Sequence, residues 1–348
     1  MPVPAFGLNR FDFSSVSHFA ADVRRAEDLG WDHAFIPDSQ LRRGDVYVML
    51  AAAAHETSRI GLGTLLANPV TRHPTVTASA FATVDETAPG RTLFALGIGD
   101  TAVRLAGLRP ARVGELESTT RTIRSLLAGD AVDVGARESA RLPHPRNVPV
   151  WLAAGGPRTL RMAGAVADGV FIRVGTNTPN IRAAVGAVRA GAIDAGRDPD
   201  AVKLGLVLHT VLVDDPDRAL LIGKSLAAGY YEYSSALFDA PGLGWDGPPV
   251  HELQQQVHPD FHHAPDLEQS GRLVDFLPTE AADAFCLRGD AADVTRELIA
   301  ILELGFNFEI VVPHPVPNPP APDAPGGPHY MEIFARDVLP AVRNALDG

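Results

Sequence analysis

Residues 153–164, AAGGPRTLRMAG, hold the clearest local chemistry in this sequence. An apolar run ends in Gly155-Gly156, and Pro157 opens a helix whose first amides have no partner inside the helix. Those N–H groups and the positive helix end suit an anion, and glycine lets a phosphate approach the backbone. Gly155, Gly156, Pro157, Arg158 and Thr159 are therefore candidate phosphate-binding residues; a plain strand-to-helix turn would use the same glycines for geometry alone. Asp38 closes the apolar run FIPD, and Asp100 follows GIG. Each is placed to bind a ligand or to cap the next helix, and Asp100 is also a candidate general acid. His209 lies inside a long apolar run. Facing inward it would meet a substrate; facing outward it would be satisfied by neighbouring backbone. His251, His258, Asp260, His262, His263 and Asp266 crowd one segment, but HPDFHH has no recognised ligand spacing and HExxH is absent, so no metal site is expected. GxSxG and Walker A loops are absent as well.

The elements that must position these residues repeat one unit, a short apolar run followed by an amphipathic helix. Strands are expected at 4–9, 33–38, 59–68, 92–99, 148–154, 168–175, 202–213 and 308–315. Ser14 or Ser15 can cap a first helix whose apolar positions Val16, Phe19, Val23, Ala26 and Leu29 share one face, and Gly30 supplies its left-handed stop. Pro74, Thr178-Pro179, Asp215-Pro216 and Asp290 mark further helix starts, and a last helix is expected over about 329–346 after a Pro/Gly loop at 315–328. Residues 229–285 break the rhythm with helical pieces and no clear strand. Eight near-continuously apolar strands, each trailed by a helix, predict a (β/α)8 TIM barrel with an irregular helical insertion before the last strand. The expectation is a single domain over 1–348. An open doubly wound sheet is the rival, disfavoured by the count of eight and by the lack of GxGxxG after the first strand. In such a barrel the C-terminal strand ends carry function, here Asn9, Asp38, Leu65–Asn68, Gly99–Asp100, Ala154–Gly156, Arg173–Thr176, His209 and His314.

Composition excludes several classes. With 30 Lys+Arg against 42 Asp+Glu the formal charge is −12, which argues against a duplex nucleic-acid binder. The apolar runs fall far short of the roughly 20 residues a membrane span needs. MPVPAFGLNRFDF lacks the basic and apolar regions of a secretory signal, so a cytoplasmic address is expected. A lone cysteine, Cys286, allows neither an internal disulfide framework nor a multi-cysteine metal site.

The stretches 26–39 (AEDLGWDHAFIPDS), 43–100 (through SRIGLGTLLANPVTRHP to GIGD), 148–172 (VPVWLAAGGPRTLRMAGAVADGVFI) and 283–294 (DAFCLRGDAADV) resemble the bacterial luciferase-like family of flavin- and deazaflavin-dependent TIM barrels. Within it they resemble the coenzyme F420-dependent enzymes of the methylenetetrahydromethanopterin reductase type. The resemblance implies a cis peptide at Leu65–Leu66, packed on the cofactor ring, with Thr64, Ala67 and Asn68 facing the cofactor. It implies a cofactor phosphate loop at Gly155–Thr159, and it puts Asp38 and Ser39 beside the deazaflavin. Many F420 enzymes have histidine where this chain has Ser39. The methanopterin-type reductases have glutamate where it has Asn9, and GPGD where it has GIGD. These departures argue against methylenetetrahydromethanopterin as substrate. The implied activity is hydride transfer between F420 and an activated C=C or C=N bond of a small or natural-product substrate, with Asp100, His209 and Asn9 as catalytic candidates. The alternatives are an FMN-dependent monooxygenase and a non-catalytic flavin-binding protein. A homodimer is the family's expectation, with Arg42, Arg43, Arg72 and Arg173 as candidate partners for the cofactor's acidic tail.

Overall fold

Parallel strands covered on both faces are built from unbroken apolar runs, and each of the eight expected runs forms one. In the computed structural model, which describes residues 2–316 and 330–347, these are β1 (Ala5–Leu8), β2 (His33–Ile36), β3 (Gly61–Ala67), β4 (Thr92–Leu96), β5 (Val150–Ala154), β6 (Gly169–Ile172), β7 (Lys203–Leu212) and β9 (Phe308–Pro315). The fold class is the (β/α)8 barrel. A ninth short strand, β8 (Leu287–Gly289), corrects the expected count. Its sequence, LRG, has no apolar run to announce it, and it exists because it pairs in parallel with Thr210–Leu212 of β7.

Between the strands lie α1 (Val16–Asp28), α2 (Val46–Glu56), α3 (Pro74–Thr87), α4 (Thr101–Leu105), α5 (Val113–Ala128), α6 (Pro157–Val166), α7 (Thr178–Asp194) and α8 (Pro216–Tyr233). After them come α9 (Val250–Leu253), α10 (Leu267–Leu273), α11 (Thr279–Phe285) and α12 (Ala291–Leu302). The chain closes with α13 (Tyr330–Ile333) and α14 (Leu339–Asp347), joined by a π-helical turn. Because α8 runs on to Tyr233, the irregular insertion begins later than 229. Most of the expected 315–328 loop lies outside the described residues. The chain divides into two compact units, one of residues 5–171 and 187–205, the other of the described residues of 1–4, 172–186 and 206–348.

In the first unit the strands lie side by side in chain order from β1 to β6. Ser15 caps α1 by accepting from the His18 amide, and Gly30 takes φ 88° at its end. Glu27, one turn before that end, is buried, and its carboxylate accepts the amides of Ser58, Arg59 and Ile60, which anchors the approach to β3. Burial would raise that carboxyl, but the three amides hold it below its ordinary value. Trp151, Phe171 and Phe35 fill the core, and Gly169 leaves room for the Trp151 ring. In the second unit β7 is flanked by β9 and β8. Asp215 and Asp290 cap α8 and α12 as the sequence indicated. Among the described residues no helix is long and apolar enough to cross a membrane.

Candidate functional site

In the first unit the ends of β2 and β3 meet. The Asp38 amide donates to the Leu66 carbonyl at 3.0 Å, and the Leu65–Leu66 peptide is cis, as expected for that bond. Asp38 is 4% exposed. Its Oδ2 accepts from Arg72 Nη1 at 2.5 Å, while Arg72 Nη2 reaches Asp45 at 2.7 Å and the guanidinium lies 4.9 Å from the Tyr47 ring centre. Asp45 in turn caps α2. Burial pushes the Asp38 carboxyl above its ordinary value, against the pull of Arg72. Its Oδ1 is buried and has no partner within the protein, as are Ser39 Oγ and Gln40 Oε1. Three consecutive residues thus hold buried polar atoms without a mate in the protein, an arrangement that folded chains avoid unless water, an ion or a ligand supplies one.

Thr64 and Asn68 are buried here, but their polar atoms are committed to the scaffold. The Thr64 hydroxyl donates to the Ala95 carbonyl and accepts from the Ala95 amide, bridging the place where the β3–β4 register shifts. Asn68 Oδ1 accepts the Val70 and Thr71 amides and bends the chain into the loop that delivers Arg72. Ala67 is buried and its carbonyl accepts from Gly97. The GIGD turn packs on this strand end: a Cβ on Gly97 would collide with the Leu66 side chain, and one on Gly99 would come 3.0 Å from Asn68 Cβ. Asp100 stands at the start of α4 without capping it; its Oδ1 takes a 2.5 Å bond from Arg104 Nε, and the side chain is 39% exposed. Asn9 is buried just after β1. Gly155 and Gly156 are partly exposed, α6 has no side-chain cap, and the space beside Gly156 is open. Pro157 and Arg158 are exposed at that helix start, with Thr159 half-buried. Of the other arginines in this unit, Arg42 is exposed, whereas Arg43 is half-buried over Phe13, with burial drawing its pKa down to about 10.

The second unit holds a cluster that sequence spacing reached only in part. His209 on β7 is 3% exposed, and its ring centre lies 4.8 Å from that of His262, 5.1 Å from His314 and 5.4 Å from Tyr230. Arg173, just past β6, donates to His209 and His262. Burial, then the Arg173 charge, holds both imidazoles well below their ordinary pKa, so both are neutral. Strand-end position had singled out Arg173, His209 and His314. His262 comes from the insertion, where nothing in the spacing separates a site histidine from a solvated one. Asp260 positions it by accepting the His262 and His263 amides and pairing with the His263 ring. Burial alone would raise the Asp260 carboxyl; the His263 bond and charge overcome it and hold the pKa near 2. Among the described residues no three His, Cys, Asp or Glu are grouped to hold a metal.

Comparison with known proteins matches residues 11–307 to the luciferase-like monooxygenase family. The chain is similar to a 5,10-methylenetetrahydromethanopterin reductase of Methanolobus tindarius, 28% identical over 90% of this chain and 95% of that protein. It is also similar to an F420-dependent glucose-6-phosphate dehydrogenase of Intrasporangium calvum, 29% identical over 92% of each. Among solved structures, the coenzyme F420-dependent tetrahydromethanopterin reductase of Methanopyrus kandleri superposes with a TM-score of 0.72, at 23% identity, over 97% of this chain and 99% of that one.

Proposed function

We propose, from the premise that this chain belongs to the luciferase-like monooxygenase family, that it is a coenzyme F420-dependent oxidoreductase. It transfers a hydride between the deazaflavin and an activated C=C or C=N bond of a small substrate. The observation that carries this reading is the run of unmated buried polar atoms at Asp38, Ser39 and Gln40. Such a row of acceptors and a hydroxyl fits the polar edge of a flavin-type ring, whose N–H and C=O groups alternate. Similarity to an F420-dependent glucose-6-phosphate dehydrogenase favours F420 over FMN.

Bound F420 supplies a two-electron hydride at C5 and does not readily activate oxygen, so the protein's task is to position ring and acceptor and keep water out. Asp38 and Ser39 hold the polar ring edge, with Arg72 keeping Asp38 in place. The Thr64–Asn68 stretch would line the ring, with Leu65 and Leu66 supplying the apolar contact, while Thr64 and Asn68 act by shaping the strand end, since their oxygens are already bonded. Gly155, Gly156, Pro157, Arg158 and Thr159 take the cofactor phosphate at the open start of α6. Neutral His209 is a hydrogen-bonding group rather than an imidazolium acid. Asn9 orients the reacting groups, and Asp100, tied to Arg104 at the surface, is at most a relay to solvent. Asp100→Asn should therefore keep a wild-type-like hydride rate in stopped flow; a large loss would return Asp100 to the role of acid. The whole chain works as one domain, acting in the cytoplasm as a homodimer.

Fluorescence-quenching titrations with F420 and with FMN test the reading. Micromolar or tighter F420 binding with weak FMN binding is expected. The reverse preference would favour the second reading, an FMN-dependent monooxygenase, which membership of the luciferase-like monooxygenase family supports. Binding of neither would overturn the cofactor assignment.

A further inference from the structure

Arg173 is a cation among neutral groups. Its Nη2 lies 3.2 Å from His209 Nε2 and 3.3 Å from His262 Nδ1. Guanidinium N–H groups only donate, so both ring nitrogens must accept. The other nitrogen of His262, Nε2, donates to the Leu226 carbonyl at 3.1 Å, which fixes that ring's tautomer. His209 must then carry its proton on Nδ1, and this buried atom has no partner. The Tyr230 ring centre lies 5.8 Å from the guanidinium carbon. Among the described residues no carboxylate pairs with Arg173. Asp260, nearby in sequence to His262, spends its oxygens on His263 and on two backbone amides.

A partly buried cation usually acquires a carboxylate, because neutral acceptors satisfy its N–H groups without offsetting its charge. Here two imidazoles fix the direction of the guanidinium and leave its charge uncompensated. Arg173, His262 and His314 each remain partly exposed, so a solute can reach the group. We propose that Arg173, held in orientation by His209 and His262, binds a carboxylate or phosphate group of the substrate. The anion-binding property stands on these contacts alone; calling its ligand the substrate rests on the hydride-transfer reading.

Isothermal titration calorimetry of the full-length protein with inorganic phosphate and with acetate is the direct test. F420 and its deazariboflavin core, which has no phosphate or glutamate tail, serve as controls. With F420 bound, so that the cofactor's own phosphate fills the start of α6, wild type should still bind phosphate, Arg173→Gln should weaken that binding at least about tenfold, as loss of a charge-assisted bond predicts, and Arg173→Lys should recover part of it. His262→Gln, which loosens the guanidinium without removing charge, should weaken phosphate binding less. F420 affinity should stay within about twofold throughout, which also certifies that the variants fold. Should Arg173→Gln fail to fold, movement of the Arg173 Nε–H resonance of labelled wild type on adding phosphate replaces it. No phosphate or acetate binding by wild type, or undiminished binding by a folded Arg173→Gln, overturns the proposal. So does a variant that loses F420 while keeping the deazariboflavin core, because the anion would then be the cofactor's tail. Phosphate binding in a protein that binds no F420 would sink the cofactor reading and leave this site standing.

Discussion

At the scale of single residues, the polar atoms at the end of β2 and β3 divide into those already spent and those still unmatched. Thr64, Asn68 and Asp100 have the types expected of a site, yet each gives its oxygen to a neighbour: the Ala95 backbone, the Val70–Thr71 turn and Arg104. Asp38 offers one oxygen and keeps the other bound to Arg72. That ion pair is buried on the Asp38 side, where the carboxylate is 2% exposed. Removing only the cation leaves an uncompensated buried charge, which typically costs about 3 kcal/mol or more. Arg72→Met should therefore lower the urea midpoint, and adding Asp38→Asn should restore much of the loss. Additive losses in the double variant would show that the two side chains do not act as a pair.

At the scale of elements, two kinds of close packing have measurable consequences. In the first unit α6 lies so near the end of α7 that a Cβ on Gly191 would run into the Arg161 carbonyl, and one on Gly164 into the Val188 carbonyl. Backbone cannot yield as a side-chain tip can. Gly191→Ala should cost about 1–3 kcal/mol by chemical denaturation, whereas Gly97→Ala meets only the tip of Leu66 and should change stability little while weakening F420 binding. In the second unit α12 carries Glu297, half-buried, whose carboxyl accepts from the Arg288 amide of β8. Burial, aided by Asp283, pushes its pKa up to about 7. An acid raised on folding binds its proton more tightly in the native state, so stability falls as pH rises from its unfolded value of 4.5 towards 7. Glu297→Gln should abolish that decline, giving a variant more stable than wild type at neutral pH but not at pH 4. Parallel slopes for the two proteins in urea unfolding would dismiss the effect.

At the scale of the whole molecule, the one cysteine is a reporter of opening. Cys286 is fully buried, its thiol donates to the Ala282 carbonyl, and burial pushes its pKa far above the ordinary thiol range. A native chain should resist thiol reagents and react only as fast as the region around Cys286 opens, so labelling should accelerate with urea; rapid labelling in buffer would contradict this burial. Reductant should leave stability unchanged. The sequence by itself determined the eight apolar strands, most of the helices between them and several of their caps, and hence the barrel, because apolar periodicity and cap chemistry are local properties written in consecutive residues. Asp38, Asn68 and Arg173 follow closely on β2, β3 and β6, where apolar runs in the sequence stop, whereas His209 lies inside β7. Tertiary structure alone decided what each polar atom does there. β8 exists only through β7, Thr64 is consumed by Ala95, 31 positions on, and His262 joins Arg173 from 89 positions away. Hydrogen bonding and burial depend on who arrives from elsewhere in the chain, and no local pattern encodes that arrival.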